Sequence, residues 1–194
     1  MIKLFIFDMG GVVARDFDIL PEAAALLGLS EEAMLDYIRE DIEGLMNGSV
    51  SSVEFWKRFT DRSAVVVDGN PLIDLFNPRL DNATISLILS IKKFCPAVCG
   101  TNTIAEHYNH HKGRGDYAVF DRVYASHLMG IAKPRSEFFQ WILDKESVRP
   151  EEVVFCDDMD VNVESARALG MNSFLFRDAE TFTHEFSKSG LNIQ

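Results

Sequence analysis

Leu4-Phe5-Ile6-Phe7-Asp8-Met9-Gly10-Gly11 decides how this chain is to be read. Its four leading apolar residues, β-branched and aromatic among them, favour a buried strand over a helix. The run stops on a carboxylate and then turns through two glycines. That presents Asp8 at the edge of a sheet, where ligands sit in α/β proteins. An Asp before Gly-Gly is also a common turn stabiliser, so the reading depends on what else reaches the same edge.

Three later segments can share it. Val98-Cys99-Gly100-Thr101-Asn102 is an apolar run ending in a hydroxyl and an amide, and Gly130-Ile131-Ala132-Lys133-Pro134 sets a lysine before a proline. Val153-Val154-Phe155-Cys156-Asp157-Asp158 is an apolar strand ending in two carboxylates. Together these are the inventory of magnesium-assisted phosphoryl transfer. Magnesium takes oxygen ligands and keeps several waters, so one or two carboxylates beside Asp8 suffice. Lys133 can neutralise both the Asp8 carboxylate and a transferring phosphoryl group. Thr101 and Asn102, at the start of a helix, suit a phosphate oxygen.

Each signal has a plainer alternative. Thr101-Asn102 can be a helix cap, Lys133 a solvated surface residue, and an Asp ahead of a helix an N-cap, the role expected of Asp160 before Val161-Asn162-Val163-Glu164. Asp157 and Asp158 point opposite ways on extended backbone, so they need not serve equally. Pro134 is expected to start the helix that follows Lys133.

Around these motifs strands and helices alternate. Strands are predicted over 2–8, 96–100, 120–124, 152–157 and 172–176, with helices over 82–94, 103–111, 135–145 and 161–169. Such alternation favours an α/β fold, a parallel sheet covered by helices on both faces. From Asp16 to Asn77 the pattern is helical, with Ser30 and either Ser51 or Ser52 as caps and Asn47-Gly48-Ser49 as a turn. The expected division is a core of residues 1–15 and 78–194 and a helical insertion of 16–77, whose Phe55 and Trp56 read as core.

The segments Phe5 to Val13 and Phe155 to Gly170, with the Thr101-Asn102 and Lys133-Pro134 motifs between them, resemble the haloacid dehalogenase-like superfamily of aspartyl-nucleophile hydrolases, most of which are phosphatases. The chain looks closest to the branch with a small helical cap that includes sugar-phosphate phosphatases. The resemblance implies a Rossmann-like sheet, a cap at 16–77 and Mg2+ as cofactor. It implies Asp8 as nucleophile, Lys133 as its cationic partner, and Thr101, Asn102 and Lys133 as substrate-binding groups. Metal ligands would be Asp8, the Gly10 carbonyl and Asp158, with Asp157 direct or one layer behind. One departure stands out: where the family usually has a second Asp that serves as general acid and base, this chain has Gly10. Some members resembling this branch carry glycine there.

With 30 acidic and 19 basic residues the net charge is −11, which disfavours nonspecific nucleic-acid binding and anionic membranes. A hydrophobic share of 47% and a charged share of 25% are those of an ordinary globular protein. No apolar stretch reaches the roughly 20 residues of a membrane span, and the first run is cut short by Asp8 before a signal peptide can form. A cytoplasmic monomer acting on a small phosphorylated molecule is expected. Cys95, Cys99 and Cys156 read as buried free thiols. His107, His110 and His111 share a helix face but lack an acidic partner in their own stretch, so metal binding there is disfavoured.

The sequence therefore points to a magnesium-dependent phosphatase, with a sugar phosphate as the implied substrate. The alternatives are a 2-haloacid dehalogenase, which uses the same Asp attack and also lacks the second Asp, and a catalytically silent binding protein, for which Gly10 is the main support.

Overall fold

A computed structural model describes residues 1–193. The elements run β1 (Leu4–Phe7), β2 (Ala14–Arg15), α1 (Leu20–Leu26), α2 (Glu31–Ile38), α3 (Ile42–Met46), α4 (Ser52–Ser63) and α5 (Pro71–Asp74). They continue through β3 (Arg79–Leu80), α6 (Asn82–Ile91), β4 (Ala97–Thr101), α7 (Ala105–Arg114), β5 (Arg122–Ala125) and α8 (Ser126–Met129). The chain closes with α9 (Ser136–Glu146), β6 (Val153–Asp157), α10 (Asp160–Ala168), β7 (Asn172–Leu175) and α11 (Ala179–Lys188).

Five strands form one parallel sheet in the order β5-β4-β1-β6-β7. β1 is central, paired to β4 on one side and β6 on the other, which is why its sequence is uninterruptedly apolar rather than alternating. Successive side chains go to opposite faces. Phe5 and Phe7 join a cluster with Ile88 and Phe182, beneath α6 and α11. Leu4 and Ile6 join Phe138, Phe139 and Ile142 of α9, with Phe155, on the other face. All three cysteines are free and buried in these layers. No described helix is long and apolar enough to cross a membrane.

The helices α1 to α5 bury their own cluster, in which Phe55, Trp56 and Phe59 of α4 pack with Met34, Ile38 and Leu45. One core residue, Ile104, enters it. α4 starts where Ser51 accepts the Glu54 N–H at 3.2 Å, so Ser51 rather than Ser52 is the cap. This helical segment leaves and rejoins the core through a two-stranded antiparallel ribbon, Ala14 opposite Leu80 and Arg15 opposite Arg79, which the sequence reading did not contain.

Three local expectations are corrected. Asp160 is the first residue of α10 and not its cap, because the Asn162 and Val163 N–H groups already donate to the Met159 carbonyl, at 3.1 and 3.2 Å, which makes Met159 the cap position. Pro134 lies in the turn before α9, following a cis Lys133-Pro134 bond, and the helix begins at Ser136. α7 begins only at Ala105, which leaves Thr101 as the last residue of β4 and Asn102 in the connecting loop, away from any helix N-terminus.

Candidate active site

The structure gathers Asp8, Lys133, Asp157 and Asp158 at the carboxyl edge of the sheet. Asp8 follows the central strand, and its N–H still donates to the Cys156 carbonyl at 2.9 Å, which holds it beside Asp157. Its Oδ1 accepts the Met9 N–H at 2.7 Å and lies 3.0 Å from Lys133 Nζ. Among the described residues Oδ2 has no donor.

Lys133 has only 4% of its surface exposed. Its ammonium donates to the Gly100 carbonyl at 2.9 Å and to Asp157 Oδ2 at 2.6 Å, besides its contact with Asp8, so all three N–H bonds are matched. The approach of the lysine is fixed by Asn102, whose amide accepts the Lys133 N–H and donates to the Lys133 carbonyl, both at 2.8 Å. Asp157 is equally engaged: Oδ2 meets Lys133, and Oδ1 accepts from Met159 N–H and from Asn162 Nδ2, both at 2.9 Å. Its carboxylate is thus held on every side by protein donors. Asp158 is the more accessible of the pair.

Ligand atoms of Asp8, Asp157 and Asp158 lie within 4.8 Å of one another. Three carboxylates against one ammonium leave an excess of negative charge that suits a divalent cation. Burial pushes the Asp8 carboxyl up to about 7, with Lys133 working against that rise and Asp157 adding to it. Asp158 is raised too, by burial and then by Asp157. Burial works against the charged form of Lys133, but Asp8 and Asp157 outweigh it and hold the ammonium above the ordinary lysine range.

The turn after Asp8 is shaped by this crowd. Gly11 has φ +72°, and a Cβ there would fall 2.0 Å from Asp158 Oδ2, so no larger residue fits beside the carboxylate. Met9's carbonyl receives the Val13 and Ala14 N–H groups, while Gly11 N–H goes to Ala14. The Gly10 carbonyl is left without a partner among the described residues. On the other side of Gly10 stands Phe17, whose ring carbon Cδ2 would be 3.0 Å from a Cβ at position 10. A side chain at position 10 would therefore press on the Phe17 ring, which would have to give by a few tenths of an ångström.

Below Phe17 a space of about 40 Å³ is bounded by Gly10, Thr101, His111 and Tyr117. Thr101 is buried, its hydroxyl 3.4 Å from the Asn102 carbonyl. The Tyr117 hydroxyl is buried with no hydrogen-bond partner. The three histidines do not converge on a common point: His107 stacks on Phe76 at 3.6 Å and bonds the Leu72 carbonyl at 2.8 Å. His111 Nδ1 lies 2.8 Å from Asp116 Oδ2, so an acidic partner does exist, brought back by the left-handed Gly115 that ends α7. Burial lowers His107 to about 4, and burial lowers His111 as well, against the pull of Asp116.

Sequence reasoning missed three supporting residues. Arg15 hydrogen-bonds the Gly11 carbonyl and reaches Asp81 Oδ2 at 3.2 Å, which ties the Asp8 turn to the residue capping α6. Ser126, fully buried, accepts the Thr103 N–H at 2.9 Å and donates to the Met46 carbonyl at 2.6 Å, so it joins the core edge to the helical insertion. Phe17 is the third. None carries a local signal, because each acts on a partner distant in sequence or on backbone.

The family model for haloacid dehalogenase-like hydrolases matches residues 5–176. The chain belongs to this family. A D-ribitol-5-phosphate phosphatase of Bacteroides thetaiotaomicron is 28% identical to it over 90% of this chain and 91% of its own length. Further curated relatives match over shorter stretches, such as 36% of this chain and 12% of their own. Among solved structures, a haloacid dehalogenase-family enzyme of the same bacterium, in complex with magnesium and inorganic phosphate, superposes with a TM-score of 0.76 at 21% identity, across 96% of this chain and all of that one. An L-2-haloacid dehalogenase superposes with a TM-score of 0.64 at 16% identity, covering 89% of this chain and 83% of its own, a likeness of fold.

Proposed function

We propose that this hydrolase is a magnesium-dependent phosphatase that cleaves a small phosphate monoester through an aspartyl phosphate on Asp8. The observation that carries the reading is the juxtaposition of Asp8, Asp157 and Asp158 within 4.8 Å, with Lys133 wedged between the first two. Magnesium held by Asp8, Asp158 and the Gly10 carbonyl would supply charge neutralisation for an anionic ester entering an acidic site. Asp157, its oxygens already engaged, serves by fixing Lys133 and the start of α10 rather than as a ligand.

Asp8 Oδ2 is the oxygen free to attack phosphorus, since Met9 N–H and Lys133 hold Oδ1 in place. Attack forms the Asp8 Oδ2–phosphorus bond and breaks the ester bond, and the electron pair leaves with the alcohol oxygen. Water then splits the acyl phosphate. Lys133 stabilises the charge through both steps without giving up its proton, which its two carboxylates hold. Thr101 faces the same edge and supports phosphate binding, whereas Asn102 contributes by positioning Lys133. The helical segment 16–77 acts as the cap that selects the alcohol.

Gly10 offers no proton to the departing alkoxide. Esters with better leaving groups, aryl and acyl phosphates or sugar 1-phosphates, are therefore favoured over simple alkyl phosphates and sugar 6-phosphates. Within the small metabolites, a sugar phosphate is the reading that the ribitol-phosphate relative supports. The lack of a side chain at Gly10 also favours a second reading, dehalogenation. The carboxylate cluster argues against it, because attack on carbon needs no cation. A silent binding protein is the third outcome.

The test is release of phosphate from p-nitrophenyl phosphate with magnesium and with EDTA, for the wild type and Asp8→Asn. Magnesium-dependent turnover that falls by about 10⁴-fold or more in the variant is expected, as for loss of a covalent nucleophile elsewhere. Chloride release from a 2-chloro acid in EDTA, without phosphate release, would establish the dehalogenase, and silence in both assays the binding protein.

A further inference from the structure

Beside the carboxyl edge, the helical segment encloses a cavity of about 210 Å³. Its walls include Met34, Ile38, Leu45, Phe55 and Trp56 from the insertion and Ile104 from the core. It shares lining residues with the small space beside the reaction site. Phe17, Asn102, Thr103 and His107 bound both this cavity and the small space that reaches Gly10 and Thr101. Asn102 also borders the open groove that leads to Lys133.

The cavity's polar groups decide what it can hold. Asn102 has both ends of its amide on the Lys133 backbone. The Thr103 N–H goes to Ser126 and its hydroxyl lies 3.3 Å from the Ile104 carbonyl. His107 Nε2 is on the Leu72 carbonyl, and the Trp56 indole N–H donates to Asn70 Oδ1 at 3.0 Å. Asp18, which accepts the Leu20 N–H, stands exposed at the rim. The wall is mostly apolar, and the hydrogen-bonding capacity that remains, on the second His107 ring nitrogen and the Thr103 hydroxyl oxygen, is too sparse to pair a string of hydroxyls, so a polyol entering here would lose more water than it regains in hydrogen bonds. An apolar cavity of roughly 150 Å³ accepts benzene, so this one has room for a ring with a short alkyl extension.

We infer that the alcohol half of the substrate is apolar: a phosphate monoester of a ring or short hydrocarbon, seated in the cavity between α2, α4 and Ile104, and not a polyhydroxylated sugar phosphate. The inference rests on the phosphatase reading and replaces its sugar with a hydrocarbon. An aryl ester meets both demands of the site, an apolar body for the cavity and a leaving group that departs without a general acid.

The test is a series of 4-alkylphenyl phosphates, from hydrogen to propyl, along which leaving-group acidity hardly changes. With magnesium, kcat/KM is expected to rise about threefold or more per carbon, most of it in KM because the contact is equal in ground and transition states. The variant Ala23→Leu, which adds carbon to the cavity wall, is expected to end the rise earlier in the series. A flat series in the wild type, or D-ribitol 5-phosphate cleaved more efficiently than the propyl ester, overturns the inference.

Binding is read separately in an Asp8→Asn, Trp141→Phe protein, where Trp56 is the remaining tryptophan, by titrating 1-hexanol against its fluorescence. Saturable change is expected, and its absence overturns the inference. Saturable binding without turnover of any ester by the wild type would sink the phosphatase reading and leave the cavity assignment standing. Turnover with a flat series and no hexanol binding would do the reverse.

Discussion

The carboxyl edge of the sheet and the interior of the helical insertion sit side by side and are built on opposite terms. At the edge, Lys133, Asp157 and Asn102 each have their hydrogen-bonding groups matched within about 3 Å, and the backbone turn is so tight that Gly11 tolerates no Cβ. In the insertion, large and mostly apolar side chains surround open volume. A matched polar network defines one geometry, whereas an apolar wall defines only size and shape. Under the function proposed above, the first is fitted to a reaction and the second to a choice of substrate.

The contrast breaks most visibly at Lys133. Lys133→Met leaves Asp8 and Asp157 buried without their shared cation, and a loss of about 3–5 kcal/mol in urea unfolding is expected. A loss below about 1 kcal/mol would mean that the edge is not held by charge pairing. The boundary between the two regions is tested at Phe17. Gly10→Asp alone should gain less turnover than it does with Phe17 removed, because its Cβ presses on the Phe17 ring. Combined with Phe17→Ala, it should raise the rate on ethyl phosphate by about 10²-fold, within the usual span of general acid catalysis. An equal gain from the single variant would show that Phe17 is not the obstacle.

A smaller effect sharpens the difference in rigidity. Ser51→Ala removes the cap of α4 at a cost of about 1 kcal/mol, and hydrogen exchange should report it in α4 amides while β1 amides keep their protection. Loss in both would join the two regions into one cooperative unit. Smallest is Glu152, at the opposite end of the sheet from the site. Its carboxylate is held by Lys3, at 2.7 Å, and by the Arg149 N–H and side chain, at 3.0 and 3.1 Å. These bonds lower it to about 2. A depressed carboxyl contributes stability above its unfolded value that disappears as pH falls through the folded one. The melting temperature of Glu152→Gln should therefore trail wild type at pH 7 and converge with it toward pH 2.

The elements that position the site were legible because apolar runs spell strands and their first polar residue marks the edge. Asp8, Thr101, Asp157 and Asp158 were placed that way; Lys133 reaches the same edge, though not by the helix start expected of Pro134, which lies in a turn. What those side chains do when they arrive was less visible. Asn102 reads in sequence as a phosphate-binding residue, and its side-chain amide is held by a backbone 31 positions on. Asp160 looked like a cap because local spacing cannot reveal that the helix already hangs on the Met159 carbonyl, one residue earlier. The Asp116 partner of His111 depends on the reversal at Gly115, and the β2–β3 ribbon joins residues more than sixty positions apart with only two residues a side. Sequence shows where the chain goes; it does not show who answers whom across the fold.

That ribbon has a consequence for the ancestry of the molecule. Because Arg15 and Arg79 are paired, the chain departs from the sheet and returns to it at one point. An insert whose two ends meet asks nothing of the host's topology. The sixty-odd residues between could be lengthened, trimmed or exchanged for another fold while the strand order stays as it is. Under the proposed function, the sheet is free to keep one reaction while the tethered helices are free to redefine its clientele.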